Sequence, residues 1–291
     1  MTARGRVVVV GALEVVVVTH VERHPGPGEH VVGLHGGRVA AGAAMTQALA
    51  ARAAGADVLV VGAVGDDDAG RQCVRRLEKA GVTTSVHRDT GSPTGTVHVT
   101  LDEHAASTTV AVPGANLAVP HESLTPRALQ LGADDVVLVS PGVGRTTVID
   151  TARAAQRAGA RLVVHLSPFL PLPPDVVAAA DPVVVDETGM RLLADSSLLP
   201  ESLLVTFGPH GCRWGTEGVD REPVDEPEGD RPDADRPPVG ETFAGTLAAA
   251  LADGLDRQGA LEAATAAATR QRRSETGILG VGGPTMLPLW M

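Results

Sequence analysis

Aromatic side chains are scarce, 2% of the chain, and tyrosine is missing altogether. Hydrophobic content is nevertheless 43%, so a core has to be built from Val, Leu and Ala. Small side chains of that kind favour close helix-on-sheet packing over an aromatic ligand cage. Cysteine is nearly absent. Cys73 and Cys212 stand far apart without metal-ligand spacing, which excludes a disulfide framework and leaves two small buried thiols. A basic surplus is also lacking, because the net charge is −11. The densest basic cluster, Arg270, Arg272 and Arg273, is short. Phosphate contacts dominate nucleic-acid affinity, so neither nucleic acid nor an anionic membrane is expected as the main partner. An anionic small substrate stays open, since local backbone amides can bind one. No apolar run approaches the ~20 residues of a membrane span. The opening MTARGRVVVV enters strand-like sequence with no hydrophobic segment and cleavage site, so a cytoplasmic protein is expected.

What is present reads as an α/β chain of 291 residues. Arg6–Leu13 is a β-branched run ending near Gly11, and Val15–Thr19 continues as strand. His24–Gly28 is turn material, and Glu29–Leu34 reads as another strand. Ala40–Ala54 is an Ala-rich helix with Gln47 and Arg52 as polar interruptions, stopped by Gly55. Asp57–Val64 is a strand, and Ala69–Ala80 is an amphipathic helix. Thr94–Leu101 and Ser107–Val112 alternate like strands of a sheet with one wet face. Beyond Gly114 the pattern becomes strand–helix–strand: Asp135–Val139, Thr146–Ala158, Arg161–Leu166, Pro182–Val185, Thr188–Leu193 and Ser202–Phe207. Such units build a mostly parallel sheet covered on both faces. Gly215–Pro238, rich in Pro, Asp, Glu and Arg, reads as a solvated loop. Thr242–Ala252 and Gln258–Arg272 are Ala-rich helices, and the tail Gly277–Met291 is rich in Gly and Pro.

Several motifs, in one order along the chain, carry a resemblance. They are HPGPGEHVVG (His24–Gly33), VGAVGDDDAGRQCVRRLEKAGV (Val61–Val82), Pro93-Thr94-Gly95 and Val112-Pro113-Gly114-Ala115-Asn116. Val205-Thr206-Phe207-Gly208 with Gly211, and Gly240-Glu241-Thr242-Phe243-Ala244-Gly245, complete the set. Together they resemble the ribokinase, or PfkB-type, carbohydrate kinase family from about residue 6 to about residue 285. The resemblance implies a single ribokinase-like domain over 1–291. It would hold a mostly parallel central sheet flanked by helices and a small antiparallel β lid from about 14–35 and 93–112. It implies ATP as donor, Mg²⁺ as cofactor, a small carbohydrate or nucleoside as acceptor, and a homodimer through the lid.

Carried over residue by residue, the resemblance makes Glu241 the catalytic base and Gly240 part of the anion-binding turn. Thr206, Gly208, Gly211 and Val239 fall on the nucleotide. Glu14, Gly42 and Thr46 fall on the acceptor, and Asp186 and Glu187 on the metal. His165 is an acceptor-side candidate on a different ground, its place at the C-terminal end of a strand, where open α/β sheets hold ligands. The sequence also departs from the family pattern. Glu241 replaces an Asp, which puts the carboxylate one methylene further out. Pro238-Val239-Gly240 replaces Gly-Ala-Gly, and Pro238 has no N–H to donate. Val16 replaces an Asp that grips sugar hydroxyls, Thr46 an Asn, and Gly142 a Glu. Gly189 replaces the last Glu of an Asn-x-x-Glu motif. Three readings follow: a kinase for an unusual acceptor, a catalytically silent ligand-binding or scaffold protein, and an enzyme reusing the cleft for other chemistry. Asp66 and Asp67 read as helix caps.

Overall fold

Four valines in a row make the first strand, β1 (Val7–Val10), and all four are fully buried. Strand side chains alternate between faces, so a strand covered on both sides is apolar at every position. Val7 and Val9 enter one hydrophobic layer, Val8 and Val10 the other. The computed structural model describes residues 5–104, 106–196, 198, 200–220 and 239–273.

The further strands are β2 (Glu14–His20), β3 (Leu34–Ala41), β4 (Val58–Gly65), β5 (Thr83–Asp89), β6 (Gly95–Leu101), β7 (Ser107–Val112) and β8 (Val136–Val139). Then come β9 (Arg161–His165), β10 (Val183–Asp186), β11 (Leu203–Thr206), β12 (Gly211–Trp214) and β13 (Glu217–Asp220). The helices are α1 (Ala43–Ala53), α2 (Asp68–Lys79), α3 (Arg145–Ala158), α4 (Pro174–Ala179), α5 (Glu187–Asp195), α6 (Val239–Ala252) and α7 (Arg257–Arg273).

The larger sheet has nine strands in the order β13-β12-β11-β10-β9-β8-β1-β4-β5. From β5 to β11 every pairing is parallel, and β12 and β13 close the edge antiparallel. Helices α1, α2, α6 and α7 cover one face, and α3, α4 and α5 the other. Small side chains permit close approach: a Cβ at Gly245 of α6 would fall 2.1 Å from the Gln47 carbonyl oxygen of α1. Helix α2 starts where Asp67 accepts from Gly70 N–H at 2.8 Å, and it ends with Arg76 and Lys79 in its last turn. The cap thus falls to Asp67.

A second sheet of four strands runs β3-β2-β6-β7. Antiparallel pairs β2–β3 and β6–β7 are joined by a parallel β2–β6 contact. Alternation along β2 sends Val15 to the main core and Val16 and Val18 to a small cluster with Val99 and Leu101. Strand β7 is exposed at every position, with Val110 at 62%.

Under the parallel sheet's far edge sits Trp214, fully buried. Its Nε1 donates to Ser202 Oγ at 2.7 Å, and Ser202 donates to Asp181 at 2.6 Å. Arg161 and Arg257 both pair with Asp181, and both lie over the indole, at 5.6 and 4.8 Å from its centroid. Burial works against the Asp181 charge, but the Ser202 hydrogen bond and the two guanidinium groups hold its pKa below the ordinary value.

Three expectations need correction. The strand expected at Glu29–Leu34 lies instead at Leu34–Ala41, where antiparallel pairing with β2 overrides the weak strand preference of Gly36 and Gly37. The helix expected from Ala40 therefore starts at Ala43. The stretch Gly215–Pro238 opens not as loop but with β13, because Val219 packs against the core beside Cys212. Residues 221–238 of that stretch, Pro238 among them, and the tail 277–291 lie outside the described residues. Cys73 and Cys212 are free and buried. Burial, with the nearby Asp67 and Glu14 charges, pushes the Cys73 thiol up to about 12. Among the described residues, no helix is long and apolar enough to cross a membrane.

Candidate active site

Parallel strands deliver their C-terminal ends to one rim of the sheet, where open α/β folds place ligands. Just past β1, Leu13 is held by one side chain. Its N–H donates to Asn116 Oδ1 at 2.9 Å, and Asn116 Nδ2 donates to its carbonyl at 3.1 Å. Asn116 is fully buried in a short 3-10 turn, Gly114–Ala118. This clamp fixes the backbone from which Glu14 projects. Burial, and then the charge of Glu241, push the Glu14 carboxyl above its ordinary pKa. The two glutamates, 227 residues apart in sequence (241 − 14), therefore share one electrostatic neighbourhood.

Gly42 caps α1 beside this segment. Its φ is +109°, and a Cβ there would lie 2.4 Å from the Ala12 carbonyl oxygen, so only glycine fits. Ala44 N–H donates to the same Ala12 carbonyl and Thr46 N–H to that of Gly42. Gly42 and the half-buried Thr46 thus occupy one helical turn packed on the Ala12–Glu14 segment. One residue on, Gln47 is fully buried and places its Nε2 3.1 Å from His165 Nδ1.

His165 ends β9 and is 5% exposed. Among the described residues and apart from the neighbouring backbone of α6, its Nε2 is the nearest heavy atom, at 3.7 Å, to the position a Cβ would take at Gly240. The ring therefore lies beneath the first turn of α6, which carries Val239, Gly240 and the half-buried Glu241. Burial pushes the imidazole pKa down, while the charges of Glu241 and Asp186 pull it up. Among the described residues, two buried polar atoms without a partner mark the same rim: Gln47 Oε1, and Ser140 Oγ just past β8.

The remaining expected residues gather at the ends of β10, β11 and β12. Asp186 pairs with Thr206, and Thr206 with Cys212. Thr206 Oγ1 donates to the Val185 carbonyl at 3.3 Å. Gly208 and Gly211 have φ of 57° and 106°, bracketing an exposed turn. Asp186 is exposed and caps α5, accepting from Gly189 N–H at 2.6 Å. Glu187 follows it, also exposed. Among the described residues, no group of three or more His, Cys, Asp or Glu side chains forms a metal cage. Mg²⁺ characteristically keeps several waters and takes one or two carboxylates plus substrate phosphates. An exposed Asp186–Glu187 pair suits that mode.

The structure thus brings Glu14, Gly42, Thr46, His165, Gly240 and Glu241 to one half of the rim. Thr206, Gly208, Gly211, Asp186 and Glu187 form the other half, and Val239 begins the helix between them. Sequence reasoning quoted Asn116 within a motif without giving it a role, assigned nothing to Ser140, and treated Gln47 only as a polar break in an Ala-rich helix. That break was the available signal, since a polar side chain on a helix's buried face needs a partner.

The family model for pfkB family carbohydrate kinases matches residues 4–279. Ribokinase of Bacillus subtilis is 28% identical over 269 residues, spanning 90% of each chain. Among solved structures, Arabidopsis thaliana ribokinase complexed with ribose and ATP superposes with a TM-score of 0.78 at 22% identity, over 95% of both chains. A Burkholderia thailandensis nucleoside kinase in complex with inosine gives 0.77 at 18% identity, over 96% of this chain and 94% of that one. With the family model spanning nearly its whole length, the chain belongs to the pfkB family of carbohydrate kinases.

Proposed function

We propose that the chain is an ATP-dependent kinase that transfers the γ-phosphate to a hydroxyl of a small sugar or nucleoside. One observation carries this reading: a carboxylate, Glu241, stands in the first turn of α6, beside Gly240 and within the field of Glu14. Helix N-termini leave their first N–H groups free of intrahelical partners. Those of α6 suit the charge developing on a transferring phosphoryl group. Glu241 takes the proton of the acceptor hydroxyl as that oxygen bonds to phosphorus and ADP departs. Thr206, Gly208 and Gly211 bed the nucleotide. Asp186 and Glu187 would hold Mg²⁺, which would supply charge neutralisation at the phosphates.

The acceptor half departs from the family pattern. Val16 belongs to an apolar cluster, and neither Thr46 nor Gly142 offers an amide or carboxylate. We therefore expect free ribose and fructose to be poor acceptors. The small sheet serves as a lid over the acceptor. Its exposed strand β7, with Val110 and Val112, supports a homodimer through that sheet. A cytoplasmic enzyme suits all of these features.

Titration with ATP and Mg²⁺ by calorimetry, followed by an ADP-release screen over pentoses, hexoses and nucleosides, tests the reading. Micromolar ATP binding with turnover on one acceptor class is the expected result. No heat at millimolar ATP would defeat it and favour the silent-scaffold alternative.

A further inference from the structure

The small sheet joins the main body at four crossings. The chain enters β2 at Leu13–Glu14 and leaves β3 at Ala41–Gly42; it enters β6 at Pro93–Gly95 and leaves β7 at Pro113–Asn116. One buried side chain, Asn116, meets three of these crossings. Its Oδ1 accepts from Leu13 N–H at 2.9 Å, and its Nδ2 donates to the Leu13 carbonyl at 3.1 Å. That N–H belongs to the peptide unit before Leu13, and that carbonyl to the unit before Glu14. Peptide units are planar, so a single amide fixes both planes that lead into Glu14. Turned end for end, the amide would set donor on donor and acceptor on acceptor, so the two bonds also fix its own orientation.

The other crossings close on the same amide. Glu14 pairs with Gly95 across β2 and β6. A Cβ at Gly95 would overlap Asn116 Nδ2, and it would lie 2.7 Å from the Pro113 carbonyl oxygen and 3.2 Å from Glu14 Cγ. The bare backbone of Gly95 thus makes room for the amide, the exit of β7 and the Glu14 side chain together. That exit bends at Gly114, φ 52°. It is locked there, because Ala115 N–H donates to the Pro93 carbonyl at 2.8 Å and Asn116 N–H to that of Pro113 at 3.1 Å. The entry of β6 is bolted in turn to the cap of α2. Asp67 accepts from Thr94 N–H at 2.9 Å and from Thr94 Oγ1–H at 2.6 Å. Gly42 packs on the same segment, its Cβ position 3.1 Å from Glu14 N. The lid strands therefore cannot shift against Leu13–Glu14 without leaving buried polar groups unpaired.

We infer that Asn116 is a positioning residue that couples the lid to Glu14, so that the placement of β6 and β7 sets the Glu14 side chain for the acceptor. It acts through the two peptide units around Leu13. The inference rests on the reading of this half of the rim as the acceptor site.

The test begins without an acceptor. The full chain is made with ¹³C-carboxyl glutamate, and the Glu14 signal is the one lost in Glu14→Gln. Its titration reads the surroundings of the carboxyl: burial, the Glu241 charge and the nearby Cys73 thiol. The wild-type midpoint is expected above the ordinary 4.5, and Asn116→Ala should bring it down toward that value. Gly114→Ala, whose Cβ would crowd the Pro93 carbonyl, should lower it too. In the Asn116→Ala background it should add nothing, because both act through one contact. Ser202→Ala removes a buried hydrogen bond at the far edge of the main sheet and should leave the midpoint in place. A wild-type midpoint at the ordinary value, or one indifferent to Asn116→Ala, would overturn the inference. So would a Gly114→Ala shift that survives in full without Asn116. Should Asn116→Ala fail to fold, Gly114→Ala decides alone, and no shift there overturns the coupling.

Turnover is measured second, on the pentose, hexose or nucleoside that the ADP-release screen picks out. Asn116→Ala should lower kcat/KM for that acceptor about 10²-fold, the scale of a small misplacement of a site group, with KM for ATP unchanged. A chain whose Glu14 signal behaves as expected but which phosphorylates nothing defeats the proposed reaction and leaves the coupling standing. A chain that turns over while Asn116→Ala keeps full kcat/KM overturns the positioning.

Discussion

The two halves of the rim handle polar groups in opposite ways. On the half proposed to hold the acceptor, Asn116, Gln47 and His165 are buried, and each is tied to a partner from a distant part of the chain. On the half proposed to hold the nucleotide, Asp186 and Glu187 are exposed, and Asp186 makes a local bond three residues ahead. A buried polar group is costly to disconnect, while an exposed one finds water. Changes on the acceptor half should therefore disturb both chemistry and stability. Those on the nucleotide half should act locally.

The largest effect is expected from Glu241→Gln. Phosphoryl transfer should fall about 10²–10⁴-fold, the usual worth of a general base, with ATP affinity retained in calorimetry. Equal losses in ATP affinity would erase the distinction between the halves. Next comes Asn116→Ala, which leaves the Leu13 N–H and carbonyl without their partner. Urea unfolding should show a loss of about 1–3 kcal/mol for such a buried defect. A smaller loss, about 1 kcal/mol, is expected for Asp186→Ala, which removes a helix cap. If Asp186→Ala proves the more damaging of the two, the comparison is broken.

The smallest effect concerns pH. The folded-state pKa of Glu14 lies above its ordinary 4.5, because burial and Glu241 disfavour its charge. Its contribution to stability is fully present below 4.5 and is lost as pH rises through the raised folded value. Glu14→Gln should therefore flatten the stability profile on the alkaline side of 4.5, as read from urea midpoints across a pH series. A profile unchanged by the substitution would show that Glu14 meets water instead of Glu241.

The main sheet was largely legible in the sequence. Runs such as Val7–Val10 and Val136–Val139 are apolar at every position, as strands buried on both faces have to be. Strand β3 was misplaced because Leu34–Ala41 contains Gly36, Gly37 and Arg38, and pairing with β2 rather than propensity makes it a strand. Strand β5, mostly exposed and polar, was missed for the same reason, as its order comes from β4. In the site, Glu14 and Glu241 could be named from motifs, but not the field between them, which depends on where α6 packs. The Gln47–His165 bond spans 118 positions, and no local pattern joins them.

The Trp214 network has an optical consequence. The chain has two tryptophans and no tyrosine, so its near-ultraviolet emission comes from indole alone. Trp214 is sealed from solvent and has two guanidinium groups over its ring. It also ends the strand that follows the Gly208–Gly211 turn. With Trp290 replaced by Phe, its fluorescence becomes a built-in, single-site gauge of that turn. On the proposed reading of that turn as the nucleotide's bed, added ATP is expected to change this emission in unlabelled protein.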